Sequence, residues 1–114
     1  MNQFDETGHL RYDTGMLLDF YGQLLPERAR EVLESYFNDD LTLAEIAEQH
    51  QISRQAVHDR LHRGLNSLAQ YERKLGMLAR FRDQKSIIQA AIRDLDQGDT
   101  TLARDRLMHL EQSF

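Results

Sequence analysis

Apolar residues along this chain recur at three- and four-residue intervals, and no segment alternates cleanly between apolar and polar positions. That period is the signature of amphipathic helices rather than strands. Residues 1–13 are polar and aperiodic and read as a flexible tail. Thr14 can cap a short helix carrying Leu17, Leu18, Phe20, Tyr21 and Leu24. Pro26 then stands at a first helical position, where its missing N–H costs nothing, and Glu27 suits the positive end of the helix dipole. Ala29, Val32, Leu33, Tyr36 and Phe37 give that second helix its inner face, and Asn38, Asp39 and Asp40 end it. Thr42-Leu43-Ala44-Glu45 forms a capping box, with the Thr hydroxyl taking the third N–H and Glu45 reaching back. The helix it opens carries Leu43, Ile46 and Ala47. Ser53 caps the next, with Ala56, Val57, Leu61, Leu65 and Leu68 along one face. The pattern runs on through Tyr71, Leu75, Leu78, Phe81, Ile88, Ile92 and Leu95, with Gly98 as a stop. Asp99 or Thr100 caps a last helix carrying Leu102, Ala103, Leu107, Met108 and Leu110. The expected fold class is all-α.

The stretch from Leu41 to Gly64 carries the main signal. A helix-turn-helix needs a small residue where its two helices cross, and Ala47 is placed for that. Ile46, Ile52, Val57 and Leu61 can pin the second helix to the first. The first turns of that second helix would then be free to enter a major groove. Ser53, Arg54, Gln55, His58, His62 and Arg63 are the candidate nucleic-acid contacts there, since Arg pairs well with guanine and Gln with adenine. Arg73 and Lys74, in the most basic local run, are further candidates. Two positions depart from the usual motif: His50 stands where an apolar residue is common, and Gln51 where glycine is common.

The segments LLDFYGQLLPER at 17–28, DDLTLAEIAE at 39–48, ISRQAVHDRLHR at 52–63 and LAQYERKLGML at 68–78 resemble region 4 of bacterial sigma factors. They resemble still more closely the YlxM family of helix-turn-helix DNA-binding proteins, in the same order along the chain. The resemblance covers most of 17–82. It implies a helical fold with a sigma-region-4-like half, to which the apolar periodicity adds a long C-terminal helical extension, and a part in the signal recognition particle pathway. The RNA or protein of that particle becomes a candidate partner beside DNA.

Charge complicates the nucleic-acid reading. The chain holds 14 Lys and Arg against 19 Asp and Glu, for a net charge of -5. The acidic excess lies in residues 1–41, with 9 acidic and 3 basic side chains, whereas 42–98 hold 9 basic and 7 acidic. A polyanion would meet the middle segment first. Asp59 lies near the candidate reading face with the wrong sign, although Arg63 four residues on can offset it. These features favour an alternative, an adaptor for RNA or protein in which the helix-turn-helix only packs.

Other classes find no support. There is no cysteine, so neither disulfides nor thiolate sites are expected. His58 and His62 have metal-ligand spacing but no third ligand nearby, so no metal and no cofactor is expected. No phosphate-cradling GxxxxGK, GxSxG or GxGxxG occurs, and the expectation is a protein without catalysis. No run approaches a membrane span, and the start MNQFDETGHLRY has no secretory pattern, so the cytoplasm is the expected compartment.

The expected organisation is a tail over 1–13, a helix-turn-helix domain over 14–68 and a helical extension over 69–114. The apolar stripe from Leu61 to Leu95 would span about 50 Å as one helix, more than a domain of this size covers alone. It predicts a homodimer.

Overall fold

The computed structural model describes residues 8–114, with side chains from Asp13 onward. The chain folds as α1 (Gly8–Tyr21), a 3-10 turn (Gly22–Leu24), α2 (Glu27–Phe37), α3 (Leu43–His50), α4 (Arg54–Leu75), α5 (Met77–Asp96) and α6 (Thr100–Gln112). The fold is all-α, with no strand among the described residues. It divides into two compact units between Gly76 and Met77. Of the tail expected over 1–13, residues 1–7 lie outside the described residues and 8–13 belong to α1. Thr14 is therefore not a cap but an interior position of α1, buried in the helix's inward side.

In the first unit the local signals produce the helices they encode. Thr42 Oγ1 accepts the Glu45 backbone N–H at 3.1 Å, and Glu45 Oε1 accepts that of Thr42 at 2.9 Å. The second bond stabilises the ionised carboxylate and holds the Glu45 carboxyl below its ordinary value. Ser53 Oγ accepts the Ala56 N–H at 3.0 Å and opens α4. Pro26 is the N-cap of α2, one position before the helix proper. Gln51 closes α3 in the left-handed region, φ 55 and ψ 44, and its N–H reaches the carbonyls of Ala47 and Glu48. The glycine usual at this turn would hold that conformation without strain.

The core of this unit is Leu18, Tyr21, Leu25, Val32, Leu33, Ile46, Ala47, Val57, Leu61 and Leu68. Four helices contribute to it, and α4 supplies the common wall with Val57, Leu61, Gly64 and Leu68 buried along one side. Gly64 lets α4 approach α2 closely, because a Cβ there would run into the Leu33 side chain. The far half of α4 is tied back to the start of the unit. Tyr21 Oη donates to Glu72 Oε1 at 2.7 Å, and Tyr71 Oη donates to the Leu24 carbonyl at 3.2 Å.

The apolar run from Leu61 to Leu95 is not one helix. Gly76 takes φ 63 and ψ 27, its N–H caps the Glu72 carbonyl at 2.8 Å, and α5 begins at the next residue. A left-handed glycine ends a helix at no steric cost, and α5 restarts so soon that the apolar spacing hides the break.

The second unit is a pair of helices, α5 and α6, joined by residues 97–99. Asp99 caps α6, its Oδ1 accepting the Leu102 N–H at 3.0 Å. Asp94 is buried and takes a 2.6 Å hydrogen bond from Arg106 Nε. Leu78, Ala91, Ala103 and Leu110 are its buried apolar residues. Met77, Phe81, Ile88, Ile92 and Leu95 are exposed at spacings of four, seven, four and three, a single stripe along α5. No described helix is long and apolar enough to cross a membrane.

Candidate nucleic-acid interface

The start of α4 is held from three directions. Ser53 fixes its first turn, the α3–α4 turn closes on Ala47 through the Ile52 N–H at 3.0 Å, and Val57 and Leu61 are fully buried beneath it. The flank beside that buried line carries the polar residues. Arg54, Gln55 and Asp59 are exposed, and His58 and His62 are half-buried beside them. At 100° per residue, Arg54, His58, His62 and Gln55 fall within roughly 100° of helix surface, a width that fits a groove-facing side.

The side chains on this surface already engage one another. Gln55 Nε2 donates to Asp59 Oδ1 at 3.0 Å, and His58 Nδ1 lies 3.9 Å from the same carboxylate oxygen. The two imidazoles of His58 and His62 meet edge to face, ring centroids 4.2 Å apart, with their Nε2 atoms at 3.0 Å. Only one of those nitrogens can carry the proton for a hydrogen bond between neutral rings. Among the described residues, no group of three or more His, Asp or Glu is arranged to hold a metal ion.

Asp59 is thus partnered by Gln55 and His58, four residues and one residue before it, and the expected offset by Arg63 is not what the structure has. Arg63 instead lines a cleft of about 400 Å³ with Arg28 and Arg60, between the start of α2 and the middle of α4. Arg28 and Arg60 were not among the sequence candidates, because 32 residues separate them and only the packing of α2 on α4 joins them. Arg73 and Lys74 are exposed in the last turn of α4. There they suit the negative end of the helix dipole. They lie about 28 Å along the helix from Arg54, and so belong to a different part of the surface.

Two helices with this turn, an α3 opened by a capping box and an α4 opened by a serine cap, constitute a helix-turn-helix. Residues 9–106 match the family described as "Putative helix-turn-helix protein, YlxM / p13 like". The chain belongs to that family. A UPF0122 protein of Acetivibrio thermocellus is 44% identical over 88 residues, covering 77% of this chain and 75% of the relative. One of Halalkalibacterium halodurans is 38% identical over 110 residues, covering 96% and 94%. One of Clostridium botulinum is 38% identical over 102 residues, covering 90% and 94%. The family match extends past Gly76 through all of α5 and about half of α6, so the second unit belongs to the family's pattern as the motif does.

Proposed function

We propose that this protein is a non-catalytic, DNA-binding accessory protein of the cytoplasm that works as a homodimer. The observation that carries the reading is α4: its buried side is locked into the core by Val57 and Leu61, while Arg54, Gln55, His58 and His62 stand together on the flank beside it. A helix seated this way can enter a major groove without disturbing the fold. Arg54 and Gln55 have the donors that read guanine and adenine. Ser53 borders them as a candidate phosphate contact, and Arg73 and Lys74 offer a second set farther along the duplex. The resemblance to YlxM proteins attaches this binding to the signal recognition particle pathway, with that particle's RNA or protein as the further candidate partner.

The dimer rests on the second unit. Thirty-eight residues are few for an independent core, and beside the α5 stripe Leu102, Leu107 and Met108 of α6 are exposed by 40–46%. Together these side chains leave roughly 600 Å² of apolar surface in water, close to one partner's share of a standard interface. A second copy of the same pair would complete a four-helix bundle.

One observation favours the adaptor reading instead. Asp59 sits on the groove-facing side, and the Gln55 amide that could read adenine is spent on it. Two substitutions separate the readings. In salt-dependent titrations of duplex DNA and of the particle's RNA, Arg54→Ala should weaken specific DNA binding by about 1–3 kcal/mol. Asp59→Asn should tighten binding at low salt, with the gain shrinking as salt rises. No detectable complex with either nucleic acid, unchanged by Asp59→Asn, would establish the adaptor.

A further inference from the structure

The cleft between α2 and α4 is a second chemical feature of the first unit, apart from the groove-facing side. Its lining joins three arginines, Arg28, Arg60 and Arg63, to an apolar part made by Leu25, Pro26 and Ala29. Three like charges around one cleft repel one another unless an anion sits between them. Glu27 and Glu31 neighbour Arg28 in sequence, but among the described residues neither forms an ion pair with any of the three arginines. Arg60 is half-buried, and its Nη1 is shut off from solvent with no hydrogen-bond acceptor among the described residues. That buried N–H anchors no acceptor, so the Arg60 head group is not tied to the protein there and the rest of its guanidinium is left to meet an anion. The planar fork of arginine matches phosphate oxygens two at a time, and three such forks match a doubly charged phosphate better than a single carboxylate.

The cleft also points away from the proposed duplex. Arg60, Arg63 and Ser67 lie roughly 160° around α4 from the centre of the Arg54, Gln55, His58 and His62 group. A duplex seated on those residues would leave the cleft open to solvent, so its ligand is not the backbone of that duplex. The apolar lining adds a wall for a flat ring beside the phosphate. We propose that this cleft binds a small phosphorylated ligand of the nucleotide class, its phosphate on Arg28, Arg60 and Arg63 and its base or sugar against Leu25, Pro26 and Ala29. The site is independent of the DNA-binding reading, and each can fail without the other.

Calorimetric titration of the full chain with AMP, and separately with inorganic phosphate, tests it. AMP should bind saturably with a dissociation constant below a millimolar, and inorganic phosphate at least threefold more weakly. Arg63→Gln and Arg60→Gln should each weaken AMP at least tenfold, while Arg54→Gln leaves it unchanged. Arg63 is exposed, so its variant decides the matter if Arg60→Gln disturbs the fold. The assignment is overturned by AMP that does not saturate at several millimolar, or by inorganic phosphate binding as tightly as AMP. It is also overturned by equal losses in Arg54→Gln and Arg63→Gln, or by a short duplex that displaces AMP.

Discussion

Gly15 and Gly64 both lie inside helices, α1 and α4, and replacing each by alanine should shift stability in opposite directions. Alanine in a helix interior is favoured over glycine by about 0.5–1 kcal/mol, through backbone entropy alone. At Gly15 a Cβ meets nothing within 4 Å, so Gly15→Ala should gain that amount in full. At Gly64 the same gain is present, but the Cβ would overlap Leu33 Cδ1 and lie 3.3 Å from Leu33 Cγ. Leu33 is fully buried and cannot swing into solvent. Overpacking of this kind costs about 1–3 kcal/mol, so Gly64→Ala should be destabilised by about 1–2 kcal/mol net. In a domain this small, that corresponds to a fall of roughly 5–15 °C in the melting temperature. The assay can be confined to the first unit, because all four tyrosines precede Gly76 and the chain has no tryptophan. Tyrosine fluorescence during urea unfolding therefore follows that unit alone. A Gly64→Ala variant as stable as the parent would mean that α2 and α4 are not in close contact there, and the packing argument would fall.

Three further outcomes follow from the same structure. Gln51→Gly should stabilise the first unit by about 0.5–1 kcal/mol, since the left-handed turn no longer strains a side chain; a loss in urea midpoint would contradict this. The Glu45 carboxylate is favoured in the folded state, so its contribution is present above its ordinary pKa of 4.5 and fades as pH falls through the lower folded value. Stability curves of the parent and Glu45→Ala should therefore differ at pH 7 and converge in acid, and a gap that widens in acid would refute the sign. Ile88→Glu with Ile92→Glu should leave the tyrosine-detected unfolding unchanged and yield a monomer near 13.4 kDa in sedimentation, whereas a monomeric parent would remove the basis for the dimer.

The features legible in the sequence were those whose cause is local. The Thr42 capping box, the Ser53 cap, the Asp99 cap and the buried line of Val57, Leu61 and Leu68 each depend on residues within a few turns. The features that escaped depend on packing or on a conformation that composition does not display. Gly76 falls where the apolar rhythm continues across it, so periodicity alone could not separate α4 from α5. Thr14 has the chemistry of a cap, yet the helix starts upstream and the residue is buried in its interior. At the start of α4, the spacing of the polar residues was legible but their partners were not. Asp59 could pair with Arg63 at plus four or with Gln55 at minus four, and Arg63 goes to the cleft with Arg28 and Arg60 instead.

The ties from Tyr21 to Glu72 and from Tyr71 to Leu24 join residues 51 and 47 positions apart. This bears on the order in which the nascent chain matures. Contacts of α2, α3 and α4 up to Leu61 close over short stretches and can form as soon as those helices clear the ribosome. α1 is synthesised before them and packs on α2 as well, yet its long-range hydrogen bond is to the last part of α4. At about 5–20 residues per second, it waits roughly 3–10 s for Tyr71 and Glu72 to be made. During that interval Tyr21 lacks the Tyr71 ring and the Glu72 carboxylate that finally meet it. The earliest helix is therefore the last to be fully covered, and a chain interrupted before Tyr71 leaves the Tyr21 side of α1 without the part of α4 that closes over it.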